Sequence, residues 1–215
     1  DISFMAWVSL GPLMIYITKD MPISVEDKIS LVAIPVLGGA FFRVPLGLLS
    51  DAIGPKMTGI AAQAVVMFAV SLVCVFGLTS PIAIALFGLS LGLAGASFAV
   101  ALPQAGRWYP PQYQGLVMGI AGAGNMGVVL DTLFAPSIAE AFGWRTVYGV
   151  LLALMVLVLV IYSFAAKDAP GAKTQTDFSG YGRMLADSDS RWFMFFYFIT
   201  FGGFVGLASA LPLYF

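Results

Sequence analysis

MTGIAAQAVVMFAVSLVCVFGLTSPIAIALFGLSLGLAGASFAVALPQAG, residues 57–106, contains no Asp, Glu, Lys or Arg. A helix crossing the hydrocarbon core of a bilayer needs about 20 apolar residues. This stretch therefore holds two spans, divided at Thr79-Ser80-Pro81. The same pattern recurs further along, between Arg145 and Lys167 and again from Trp192 to Phe215. Only 10% of the 215 residues are charged and 60% are hydrophobic, whereas a soluble domain carries about 25% charged residues. The fold class is all-α: a polytopic bundle of membrane-spanning helices.

Working outward gives seven helices. The first runs to about Ile17, the second covers Ile29 to Leu49, the third Met57 to Leu78 and the fourth Ile82 to Gly106. The fifth covers Gly115 to Ala139, the sixth Val147 to Ala166, and the seventh starts near Trp192. Residues 167–190, with Pro170-Gly171 and several Ser, Thr and Asp, read as a flexible linker. The chain starts at Asp1 and stops inside an apolar run, so both ends read as truncations. Loop charges set the orientation. One set of loops holds Lys56, Arg107, Lys167, Lys173, Arg183 and Arg191, and the other Lys19, Lys28 and Arg145. The first set, with the linker, is expected in the cytoplasm. Trp108, Trp144 and Trp192 fall at helix ends, as interfacial anchors do.

Ionisable residues inside spans are costly and mark function or a buried pair by default. Three qualify: Arg43, Asp131 and Asp1. Gly39 and Gly47 sit at i−4 and i+4 from Arg43, on its own helix face. They leave room beside the guanidinium or bring a neighbouring helix up to it. A structural ion pair of Arg43 with Asp131 or Asp1 is the alternative to a binding role. Arg43 and Asp131 differ in depth by roughly 13 Å at 1.5 Å per residue, which argues against their pairing. Asp131 is the candidate proton carrier or ion-pair partner, and so is Asp1.

Gly122-Ala123-Gly124-Asn125-Met126-Gly127 matches the dinucleotide fingerprint in spacing. That fingerprint needs a preceding strand and a soluble helix, and this run lies inside a span. It reads instead as a helix face stripped of side chains beside one buried amide. Gly88 and Gly92, then Gly115, Gly119 and Ala123, repeat small residues at four-residue spacing, which lets helices approach closely. There is no His, a single cysteine (Cys74) and no carboxylate pair within a turn. A membrane-embedded enzyme would need such groups, so no catalytic residue, metal site or cofactor is expected.

Gly47-Leu48-Leu49-Ser50-Asp51-Ala52-Ile53-Gly54-Pro55-Lys56 resembles the loop signature of the major facilitator superfamily, which lies between its second and third helices. That pattern has further basic residues where this chain has Ala52 and Pro55. The run Gly122, Gly124, Asn125 and Gly127 resembles the signature of the nitrate/nitrite porters within the superfamily. Gly38-Gly39-Ala40-Phe41-Phe42-Arg43-Val44-Pro45 and Tyr197-Phe198-Ile199-Thr200-Phe201-Gly202-Gly203-Phe204 are similar to that branch too.

The resemblance implies two six-helix halves, of which residues 1–166 form the first, 167–190 the cytoplasmic linker and 191–215 the first helix of the second. It implies nitrate or nitrite transport by alternating access, as a monomer in the cytoplasmic membrane, with no nucleic-acid partner. Arg43 would grip the anion, with Asn125 and Tyr197 donating to it, Phe98 and Phe201 sandwiching it, and Gly122 and Gly124 lining the approach. Gly47, Asp51, Gly54 and Lys56 would form the gating loop. A facilitator for another small organic anion or a drug is the alternative, and a membrane-embedded enzyme a distant one.

Overall fold

The computed structural model describes residues 2–19, 21–169 and 178–211. Among the described residues, twelve α-helices run in the order α1 (Ile2–Val8), α2 (Leu10–Ile17), α3 (Val25–Ile53), α4 (Pro55–Phe76), α5 (Pro81–Ala96), α6 (Phe98–Gly106), α7 (Gln114–Gly122), α8 (Met126–Phe142), α9 (Trp144–Ala165), α10 (Phe178–Ala186), α11 (Ser188–Tyr197) and α12 (Gly203–Ala210). Several are segments of one span. Short 3₁₀ turns at Pro111–Tyr113 and Ala123–Asn125 precede α7 and join it to α8, and a π-helical turn, Phe198–Gly202, joins α11 to α12. Six continuous helical stretches are long and apolar enough to cross a membrane: Val25–Ile53, Pro55–Phe76, Pro81–Gly106, Pro111–Phe142, Trp144–Ala165 and Ser188–Ala210.

Local chemistry sets the boundaries. Ser24 accepts the Asp27 backbone N–H at 3.1 Å and starts α3, a turn earlier than the second helix predicted from sequence. The turn expected over residues 51–56 narrows to Gly54 alone. Its φ of +96° is open to glycine, and Pro55 takes the first position of α4, where its missing N–H costs nothing. Ser80 caps α5 through the Ala83 amide at 3.2 Å. The first helix breaks at Ser9, because Pro12 has no N–H for the Val8 carbonyl one turn back.

The linker expected over 167–190 contains a helix. Within it α10 occupies Phe178–Ala186, and Asp187 then caps α11 by accepting the Ser190 N–H at 2.9 Å, so the seventh span starts at Ser188. The polarity of this stretch hid two apolar residues, Met184 and Leu185, which face the protein beside Gly47 and Leu48.

The core is built around α1 and α2. Phe4, Trp7, Leu10, Leu13 and Met14 are buried among residues of α3, α5, α8 and α9. The closest helix crossing is α3 on α5, where a Cβ at Gly92 would lie 2.7 Å from the Gly38 backbone. The spacing of Gly88 and Gly92 does bring backbones together there. Gly115 and Gly119 behave differently: nothing described lies within 4 Å of a Cβ placed on either. Apolar side chains such as Phe68, Ile82 and Phe164 point outward, as they do against lipid.

Candidate functional site

Arg43 lies in α3 between its two internal prolines, Pro35 and Pro45. Its guanidinium packs into an aromatic box. Its Cζ lies 4.8 Å from the centroid of the Phe201 ring and 5.9 Å from those of Trp7 and Tyr197. Aromatic faces carry the negative end of the ring quadrupole, so this is where a desolvated cation is stabilised. The Nε atom is buried and has no hydrogen-bond partner. A buried, unanswered donor is costly, and here it belongs to the charged group at the centre of the box. The guanidinium also acts electrostatically on the Tyr197 phenol.

The rings are ordered. Phe98 and Phe201 are parallel within 7°, with centroids 6.2 Å apart. Tyr197 stacks on Phe201 at 4.9 Å and 8°. Tyr197 immediately precedes the π-helical turn and Phe201 lies within it, and both rings face Arg43 of α3. Phe98 opens α6 just after the helix bends at Ser97, and Phe4 braces it edge-on at 5.3 Å.

Trp7 completes the box, and the sequence reading had passed over it. Its Nε1 donates to the Pro35 carbonyl at 2.7 Å, and its ring lies 6.4 Å from Phe201 at 17°. The glycine at i−4 from Arg43 makes room for this ring: a Cβ on Gly39 would fall 2.8 Å from Trp7 Cζ2. The glycine at i+4, Gly47, faces open space. A signal for Trp7 was present. It sits in mid-span, unlike Trp108, Trp144 and Trp192 at helix ends, and a buried indole N–H needs a partner.

Two cavities meet at Arg43. One of about 680 Å³ is lined by Trp7, Ala40, Arg43, Tyr197 and Phe201. The other, of about 650 Å³, is lined by Arg43, Gly47, Leu48, Met184, Leu185 and Met194. The second lies towards the linker helix α10.

Asn125 and its glycines take a different place. Asn125 ends the 3₁₀ turn that interrupts the fifth span, its Oδ1 buried and without a partner. This turn packs against α1, and neither Arg43 cavity is lined by it. A Cβ on Gly122 would meet nothing within 4 Å, and Gly124 is half-buried. Asp131 is buried in α8 at 1% exposure, and no ion pair joins it to Arg43 among the described residues. Asp1 lies outside the described residues.

The expected gating loop is held at the ends of two other helices, α6 and α9. Asp51 pairs with Arg107 at 2.8 Å, both partly exposed. The Lys56 amide donates to Asp168 Oδ1 at 2.8 Å, so a carboxylate beyond the sixth span caps α4. Trp108 Nε1 donates to the Lys167 carbonyl at 3.3 Å. Gly54 supplies the turn, and Gly47 lies one helical turn before Asp51.

A basic residue at mid-span, aromatic walls, broken helices and a cross-braced loop between the second and third spans are features of a solute carrier. The sequence profile of the Major Facilitator Superfamily matches residues 2–215. The chain belongs to that superfamily. Among its curated relatives, a nitrite extrusion protein of Bacillus subtilis is 34% identical over 97% of this chain and 52% of its own length. A probable nitrate transporter of Staphylococcus haemolyticus is 31% identical over 99% of this chain and 55% of its own. A probable nitrate/nitrite transporter of Mycobacterium tuberculosis is 34% identical, with coverage of 99% and 55%. This facilitator chain thus spans about half the length of the curated relatives it matches.

Proposed function

We propose that this chain is the front half of a multi-pass transporter that carries nitrate or nitrite across the cytoplasmic membrane by alternating access. The observation that carries the reading is a partnerless guanidinium Nε facing parallel aromatic rings. Nitrate and nitrite are planar, singly charged and charge-delocalised. A guanidinium offers a planar fork of donors that meets two oxygens of such an ion at once. The two rings cannot attract an anion by themselves, because their faces are negative. They exclude water and supply dispersion contact, and the guanidinium supplies the charge.

The sandwich fits a flat ion. Flat groups stack at about 3.5 Å, the lower end of carbon contact distances. Two such layers need about 7 Å, against centroids 6.2 Å apart for Phe98 and Phe201. The gap between the ring planes is no wider than this separation, so an opening of about 1 Å or more at the π-helical turn would admit the ion. A tetrahedral anion, or one with an alkyl tail, needs more. Asn125 and the open face at Gly122 belong to the approach, outside the linings of the two Arg43 cavities. The relatives' names support the same substrate class. The role is transport, not catalysis.

The test is counterflow by the full-length protein in proteoliposomes. Vesicles loaded with nitrite should take up labelled nitrate, and external nitrite should compete while lactate and sulfate do not. Competition by carboxylates or sulfate, with nitrate inert, would contradict the assignment and favour another facilitator substrate.

A further inference from the structure

Away from the Arg43 box, α8 buries a second ionisable group that the anion pocket does not use. Asp131 is 1% exposed, and its Oδ2 has no hydrogen-bond partner. It acts electrostatically on Tyr148 of α9, which is completely buried. The Tyr148 hydroxyl lies 3.4 Å from Ser9 Oγ, and Ser9 Oγ donates to the Ala6 carbonyl at 2.8 Å. Ser9 is the residue at which the first span breaks. Trp7, a wall of the anion box, stands two residues before that break.

Among the described residues, the surroundings offer no counter-charge. Of the elements packed on α8, α9 contributes Tyr148, and its Arg145 is turned away onto Trp144 and Gly77. From α2 the titratable group is Tyr16, across a cavity from Thr132. The α1 segment has none, and the preceding 3₁₀ turn contributes Asn125. On α8 itself Glu140 is exposed near the far end, and Thr132 Oγ1 is committed to the Val128 carbonyl at 2.9 Å. A lone carboxyl at membrane depth suits a group that takes up and releases a proton.

We propose that Asp131, with Tyr148 and Ser9, forms a proton-binding site separate from the anion pocket, and that its loading is coupled to anion movement. The inference rests on the transport reading above. With the proton on Asp131 Oδ2, the cluster is neutral, so the first span can pack on α8. Without it, a bare carboxylate strains the contact at the break, and Trp7 transmits the change to the box. One proton accompanying one nitrate makes the loaded carrier electroneutral.

The experiment uses full-length protein in proteoliposomes, with two readouts. Nitrate/nitrite counterflow needs no gradient, while net nitrate uptake is driven by an imposed acid-outside pH gradient. Wild type should show both, with accumulation approaching about tenfold per pH unit for one proton per anion. Asp131→Asn mimics the loaded form, so counterflow should persist while gradient-driven accumulation vanishes. Accumulation unchanged in Asp131→Asn overturns the proposal. So does wild-type uptake that ignores the pH gradient or follows a sodium gradient instead. Loss of counterflow in Asp131→Asn assigns the carboxyl to structure and overturns it too. Absence of counterflow in wild type would instead refute the transport reading beneath it.

Discussion

The two glycines flanking Arg43 are equivalent in sequence and opposite in the structure, which makes Gly39→Ala a sharp test of the packing. An alanine Cβ at 39 would sit 2.8 Å from Trp7 Cζ2 and 2.9 Å from its Nε1, where ordinary contact begins at 3.4 Å. The indole has no room to yield, because its other side lies against Gly95 of α5. It must move by about half an ångström or more, and its 2.7 Å bond to the Pro35 carbonyl goes with it. Overpacking costs about 1–3 kcal/mol, and a buried donor left unsatisfied costs about 1–3 kcal/mol more. Alanine's helix preference returns at most about 1 kcal/mol. The net expectation is a loss of about 1–5 kcal/mol. Gly47→Ala, with open space around its Cβ, should be neutral or up to about 1 kcal/mol stabilising by the same helix preference. Thermal unfolding of the detergent-solubilised full-length variants would measure both. A Gly39→Ala protein that melts at or above wild type would refute the placement of Trp7 against α3.

Two further outcomes follow from the open face of the fifth span and from the start of the seventh. Gly122→Leu should insert and fold normally, since nothing described stands within 4 Å of a Cβ placed there, yet transport should fall by about tenfold or more, an effect of about 1.4 kcal/mol or more on the rate-limiting barrier; unchanged uptake would remove this face from the pathway. At α11, hydrogen bonds from the Ser190 backbone and side chain hold the Asp187 carboxyl below its usual range. Its folded value is thus the lower one. The capping contribution is complete above the unfolded carboxylate range and is lost as pH falls through the folded value. Hydrogen exchange at the Ser190 amide, corrected for its intrinsic pH dependence, should lose protection on acidification in wild type and show no such change in Asp187→Ala.

Much of the architecture was legible because lipid imposes a simple rule. Fifty residues without a charge have no soluble explanation, and Ser80-Pro81 or Gly54-Pro55 mark helix ends by chemistry that acts within one turn. What escaped was set by contacts distant in sequence. The α10 helix was concealed by a polar stretch whose Met184 and Leu185 line one cavity with residues of α3. Trp7 showed itself only by its mid-span position, and its role depends on Gly39 and Gly95 from two other helices. The glycine spacing at Gly88 and Gly92 serves a tight crossing, while the same spacing at Gly115 and Gly119 meets no described neighbour. Arg43 was readable from the cost of its burial alone. Its aromatic neighbours were reached through family resemblance, and their mutual geometry comes only from the fold.

The central claim is that Arg43 holds a planar oxyanion by geometry as well as charge, and Arg43→Lys separates the two. Lysine keeps the positive charge and can still face the Phe201 ring, but it loses the planar fork that meets two oxygens together. Losing one or two charge-assisted hydrogen bonds, each contributing about 1.5–3 kcal/mol, would weaken binding by an order of magnitude or more. The measurement is nitrate and nitrite uptake by reconstituted full-length wild type and Arg43→Lys, with folding checked by size-exclusion profile and melting. The account predicts a folded lysine variant with nearly all uptake lost. A folded lysine variant that transports nitrate at close to the wild-type rate would contradict it.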